Sequence, residues 1–139
     1  MLDAQQLSDR IEIADLVTAY TRAIDTGDWD GLDEVFLPDA RIDYTSAGGR
    51  AGDFPTIKAW LAEVLPKFTR RQHVIGQLSV VLDGDAATVT AYFGNLMVLV
   101  GEDGAERLTD CGGYYHHRMV RTPAGWRSKE LVEETVWTR

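Results

Sequence analysis

An α+β fold, in which a strongly bent antiparallel sheet wraps a long helix into a cone, follows from two features of the chain. Up to Pro66 the apolar residues recur mostly at helical spacing, and from Gln72 onward the period changes to two. The strands that this second period implies reach about 15 residues, far beyond the usual ~5–6, and strands that long must coil and bend. Helices first and an antiparallel meander afterwards give α+β. The open end of such a cone is a natural pocket.

The elements follow in order. A first helix spans about Asp3 to Thr26, with Asp3 as its cap and Gln6 at the capping-box position. Leu7, Ile11, Ala14, Val17 and Ile24, joined by Ile13, Leu16 and Tyr20, make a wide apolar stripe for the sheet. Gly27 supplies the left-handed stop. Asp28 caps a short helix through Trp29, Leu32, Val35 and Phe36, which Pro38 ends. Ala40 to Tyr44 reads as a short strand, with Ala40, Ile42 and Tyr44 on one face, and Ala47 to Asp53 as a loop. Asp53 caps a third helix, whose Ile57, Trp60, Leu61 and Val64 share a face, and Pro66 marks its end. Strands are expected over Gln72–Leu82, Ala86–Val100, Glu106–Arg121 and Trp126–Trp137. Asp83-Gly84-Asp85, Gly101 to Ala105 and Pro123-Ala124-Gly125 form the turns, and Gly112-Gly113 is a bulge or bend site.

The 139 residues suit one domain over the whole chain, with one core. The net charge of −8, with scattered basic residues, argues against nucleic acid or an acidic membrane as partner. Cys111, the single cysteine, has no disulfide partner and reads as a small buried or half-buried side chain. No apolar run approaches the ~20 residues of a membrane span, and no signal pattern is visible near Met1, so a cytoplasmic protein is expected. No His, Asp or Glu set has metal-ligand spacing. His116 and His117 face opposite sides of a strand, and His117 is expected at the surface or an interface.

Tyr20 to Leu32, with the run Ala-Ile-Asp25-Thr-Gly-Asp28-Trp29, then Phe36, Arg41-Ile42-Asp43-Tyr44 and Gln72-His73-Val74-Ile75-Gly76, resemble in order and separation the scytalone dehydratase and SnoaL-like group of the NTF2-like superfamily. The resemblance carries motifs over residues 5 to 82 and rests on strand pattern after Ala86. It implies the cone fold and acid–base work, without metal or cofactor, on a hydroxylated cyclic ketone. It also implies catalytic roles for Asp25, Tyr44 and His73, and for Tyr20 by likeness to bile-acid dehydratases. Ile24 stands where scytalone dehydratase has a second tyrosine, and Asn95 is the polar residue nearest its second histidine.

The chemistry of these side chains fits that role. An unperturbed imidazole titrates near ~6.5 and exchanges protons at neutral pH. His73 opens a strand face that continues through Ile75 and Gln77. Asp25 lies in the last turn of a helix, where the dipole disfavours a carboxylate, and a His73 ring would compensate it and have its tautomer fixed in return. Tyr20 and Tyr44 would polarise a substrate carbonyl. Asn95, Trp60, Phe54, Met97 and Tyr115 are candidate substrate-binding residues, with Phe68 and Leu96 as further apolar walls.

The expected activity is therefore a dehydratase acting on a small hydrophobic cyclic hydroxy-ketone held in the cone. A polyketide cyclase, a ketosteroid-isomerase-like enzyme and a non-catalytic ligand-binding module are the alternatives. Tyr92, Tyr114 or Tyr115, and Trp137 would lie on the outer sheet face, and with the family's habits they imply a homo-oligomer, either dimer or trimer.

Overall fold

A computed structural model describes residues 1–139. Helix α1 (Ala4–Thr26) and helix α2 (Phe54–Val64) pack inside a six-stranded sheet of β1 (Phe36–Asp43), β2 (Ala51–Asp53), β3 (Phe68–Asp83), β4 (Ala86–Val100), β5 (Glu106–Thr122) and β6 (Gly125–Thr138), in the order β2-β1-β6-β5-β4-β3. Single 3₁₀ turns occupy Trp29–Glu34, Thr45–Ala47 and Leu65–Lys67. The cone of the NTF2-like fold is thus present. No helix is long and apolar enough to cross a membrane.

α1 begins on the expected capping box of Asp3 and Gln6 and ends on Gly27 at φ 72°. Its buried stripe is Ile13, Leu16, Val17, Tyr20, Ala23 and Ile24. Leu7 and Ile11 stay exposed, and the buried residue between them is Asp9. Its carboxylate accepts two bonds from the Arg121 guanidinium at 2.7 and 2.8 Å and one from Trp126 Nε1 at 3.1 Å. The Arg121 pairing holds the Asp9 carboxyl far below the usual carboxylate range.

Four local differences from the sequence reading have physical causes. The segment after Asp28 is a 3₁₀ turn, and Pro38 lies within β1 instead of ending a helix. It fits because pairing to β6 breaks between Phe36 and Arg41, so no backbone donor is missed there. β1 pairs with β6 in parallel, so the sheet is not wholly antiparallel. The expected loop contains β2, too short and glycine-rich to show a period. β3 starts four residues before Gln72 and carries a bulge between Ile75 and Leu78. That bulge moves the inward face from His73 and Ile75 to Leu78, Val80 and Leu82 and leaves Gln77 exposed.

The sheet bends where it was expected to. At Gly113 an added Cβ would fall 1.9 Å from the Glu134 carbonyl oxygen, and at Gly112 it would strike the Trp137 ring. The β5–β6 register slips between these two glycines. Parity settles the paired aromatics on β5: Tyr115 points inward and is buried, while Tyr114 points outward and meets Tyr92 edge-on at 4.7 Å.

His117 corrects the expectation of a surface residue. It is 1% exposed, between the rings of Tyr20 and Phe36, with Nδ1 at 2.8 Å from Ser128 Oγ. Burial and the nearby His116 push its pKa down to about 3, so it is a neutral core side chain.

Candidate active site

The mouth of the cone opens into a cavity of about 290 Å³, at the small end of ligand pockets. Core side chains do not fill it. Helix α1 contributes Tyr20 and Ile24, α2 contributes Trp60, Leu61 and Val64, and the sheet contributes His73, Asn95, Met97, Tyr115 and Glu133.

Asp25 and His73 come together from elements 48 residues apart. Asp25 Oδ1 lies 2.6 Å from His73 Nδ1, and Asp25 Oδ2 accepts the His73 backbone N–H at 2.8 Å. A carboxylate oxygen accepts here, so the ring donates from Nδ1, and its neutral tautomer with that proton presents the Nε2 lone pair. Nε2 has no protein hydrogen-bond partner, and the His73 side chain is 5% exposed. A ring held this way is oriented as a general base.

The helix end that carries Asp25 has a compensation that sequence reading missed. Arg71 donates from Nε to the Ile24 carbonyl at 3.1 Å and from Nη1 to the Leu65 carbonyl at 2.9 Å. Its guanidinium also lies over the Trp29 ring at 5.8 Å. This cation satisfies the carbonyl end of α1, so His73 need not balance the dipole alone. A basic residue two positions before a strand histidine was the available signal.

Tyr20 and Tyr44 share one hydrogen bond, with hydroxyl oxygens 2.6 Å apart. One phenol donates to the other, so the pair retains a single O–H for a ligand. Tyr44 lies just beyond β1, at the entry to a 3₁₀ turn, with its ring on the face of Ala40 and Ile42. Burial raises the pKa of both phenols, so both are protonated donors. Tyr115 stacks on Phe93 at 4.0 Å and meets Tyr20 edge-on at 5.4 Å.

Of the expected binding residues, Asn95, Trp60, Met97 and Tyr115 line the cavity, as does Phe68. Phe54 does not. It is buried against Phe36 at 5.2 Å, seven residues before Leu61, which is about 10 Å along a helix axis. Leu96 is also displaced: it neighbours Met97 on β4 and therefore points outward, 39% exposed. Cys111 is buried, and burial, followed by the Glu133 and Asp110 charges, pushes its thiol up to about 11. It is not a thiolate nucleophile. No three His, Cys, Asp or Glu side chains converge as a metal-holding group.

Glu133 is the cavity-lining residue that sequence reading missed. It lies on β6 beside Tyr115, 7% exposed, and its Oε1 has no partner. Burial pushes its carboxyl up to about 7, with the Asp43 charge adding and the Tyr115 hydroxyl opposing. Its spacing of two from Leu131 was a visible signal. The outward Val132 and Val136 pointed the strand's period the other way.

The comparisons agree with this architecture. Rv2910c of Mycobacterium tuberculosis is 44% identical over 133 residues, covering 96% of this chain and 89% of its own. A crystal structure of a hexachlorocyclohexane dehydrochlorinase (LinA type 2) superposes with a TM-score of 0.85 at 20% identity, over 99% of this chain and 92% of the other. A candidate scytalone dehydratase from Novosphingobium aromaticivorans gives 0.84 at 18%, over 96% and 87%. These two likenesses show the shared fold. Residues 5–132 match the SnoaL-like domain family over most of the chain, and the chain belongs to that family.

Proposed function

We propose that the protein is a cofactor-independent dehydratase of a small, mostly apolar cyclic hydroxy-ketone. The observation that carries this reading is the double grip of Asp25 on His73, which leaves Nε2 without a protein partner at a small, mostly apolar cavity. His73 Nε2 takes the proton α to the carbonyl. The C–H electrons form the new double bond as the β C–O bond breaks, and the imidazolium returns the proton to the leaving hydroxyl, which departs as water. The one free O–H of the Tyr20–Tyr44 pair donates to the carbonyl oxygen and stabilises the enolate.

Two relatives in fold carry names consistent with this step. A dehydratase and a dehydrochlorinase each remove a proton and a leaving group from adjacent carbons. The dyad supplies the base that either elimination requires.

The test is turnover of β-hydroxycyclohexanone derivatives by wild type and His73→Ala. A positioned general base contributes ~10²–10⁴-fold, and the variant is expected to lose that much. The product is lighter than the substrate by one water. Full turnover by His73→Ala, or a product of unchanged mass, refutes the proposal.

A further inference from the structure

The cavity has polar groups on both flanks, and the mechanism above leaves Glu133 and Asn95 unused. His73 lies on β3 and Glu133 on β6, with Asn95 on β4 and Tyr115 on β5 between them. Along the sheet the two flanks are about 14 Å apart at the usual strand spacing, and the bend shortens the way across. Two buried acceptor atoms facing this space have no partner: Glu133 Oε1 and Asn95 Oδ1. A buried polar atom without a partner is costly, and native folds keep few of them. Glu133 is more than nine-tenths buried, and its backbone carbonyl accepts from Ser46 Oγ at 2.7 Å while Oε1 has no partner.

We propose that Glu133 is a second polar anchor of the cavity, whose carboxyl group hydrogen-bonds an oxygen substituent of an uncharged ligand and excludes ligands that carry a carboxylate there. The proposal deepens the dehydratase reading by naming a second oxygen of the substrate: a neutral hydroxyl or carbonyl on the flank away from His73. The groups that face Glu133 support this selectivity. Tyr20, Tyr44 and Tyr115 are neutral phenols, Cys111 is a neutral thiol, and the nearby charge of Asp43 is negative. No cation is among them to receive an anionic substituent. Burial keeps the Glu133 carboxyl protonated to about pH 7, so below that point it can both donate and accept.

The test uses three rigid probes, followed by NMR or calorimetry: acetophenone, para-hydroxyacetophenone and para-acetylbenzoate. At about pH 6 wild type is expected to bind para-hydroxyacetophenone about tenfold more tightly than acetophenone, the worth of one well-made hydrogen bond. At about pH 8, where the Glu133 carboxyl is ionised, it is expected to reject para-acetylbenzoate. Glu133→Leu should level the first two affinities. Glu133→Gln, which keeps a donor and cannot ionise, should bind para-acetylbenzoate more tightly than wild type at about pH 8. Circular dichroism establishes that each variant is folded, and either variant alone suffices. Equal wild-type affinity for the hydroxylated and plain ketones, or wild-type binding of the carboxylate probe at about pH 8, overturns the anchor while leaving the His73 chemistry standing. Failure of all three probes to bind overturns the anchor and the cavity reading together, whereas inactive His73→Ala with intact probe selectivity leaves both in place.

Discussion

Replacing Glu133 by Gln removes one of two buried titrations that pull the stability of the fold in opposite directions over the same pH range. His117 is held down to about 3 from its ordinary 6.5 by burial and by His116, with Tyr20, Phe36 and Ser128 packed around it and no acid among them. The unfolded chain therefore takes up that proton first, and stability is lost as pH falls below 6.5. Glu133 is raised from 4.5 to about 7 in the folded protein. Its contribution is complete below 4.5 and is lost as pH rises through 7. Each titration gives a slope of about 1.4 kcal/mol per pH unit, with opposite sign, so between about pH 5 and 6.5 they cancel. Wild type should show a nearly flat stability across that interval. Glu133→Gln should lose about 2 kcal/mol between pH 6.5 and 5, because only the His117 slope remains. Urea unfolding followed by tryptophan fluorescence measures this, with an unchanged m value as the check on two-state behaviour. A flat profile in the variant, or a steep one in wild type, refutes the assignment of the two opposed groups.

Two further outcomes are expected. Asp25→Asn offers one acceptor oxygen where two are used, and its amide N–H₂ would favour the wrong tautomer of His73, so kcat should fall about 10²–10⁴-fold with KM little changed; a variant within twofold of wild type contradicts the orienting role. The outer sheet face leaves Tyr92 and Trp137 each 44% exposed beside Val74 and Val136, so self-association is expected at micromolar concentration, and a monomer by light scattering contradicts it.

The fold was legible because its two periods are separated in the chain. Helical spacing through Ile13, Val17, Tyr20 and Ile24, and alternation through Val89, Ala91 and Phe93, each lead to the right element and face. What was not legible is whatever depends on a break in a period or on a neighbour far away in sequence. The bulge at Gly76 and Gln77 reverses the face of β3 without changing its composition. The parallel β1–β6 pairing joins segments that nothing local relates. In the site, the meeting of Asp25 with His73 came from motif order. Glu133 stayed hidden because a buried carboxylate resembles a solvated one in sequence, and its strand carries apolar residues on the opposite face. His117 was misplaced for the converse reason: beside a second histidine it reads as surface, yet Ser128 and two aromatic rings take it into the core.

The Asp25 carboxylate has a consequence beyond catalysis. β3 ends the sheet, so half of its backbone donors face away from β4 and invite a stray strand. At His73 that donor is taken by Asp25 Oδ2, so the end of a helix stands in for a missing neighbour strand. The same carboxylate that holds the imidazole thus occupies the sheet's border at a residue that lines the cavity of the cone. A single side chain holds both the ring and the edge donor. Its loss would leave both the His73 edge donor and the His73 Nδ1 without their partner.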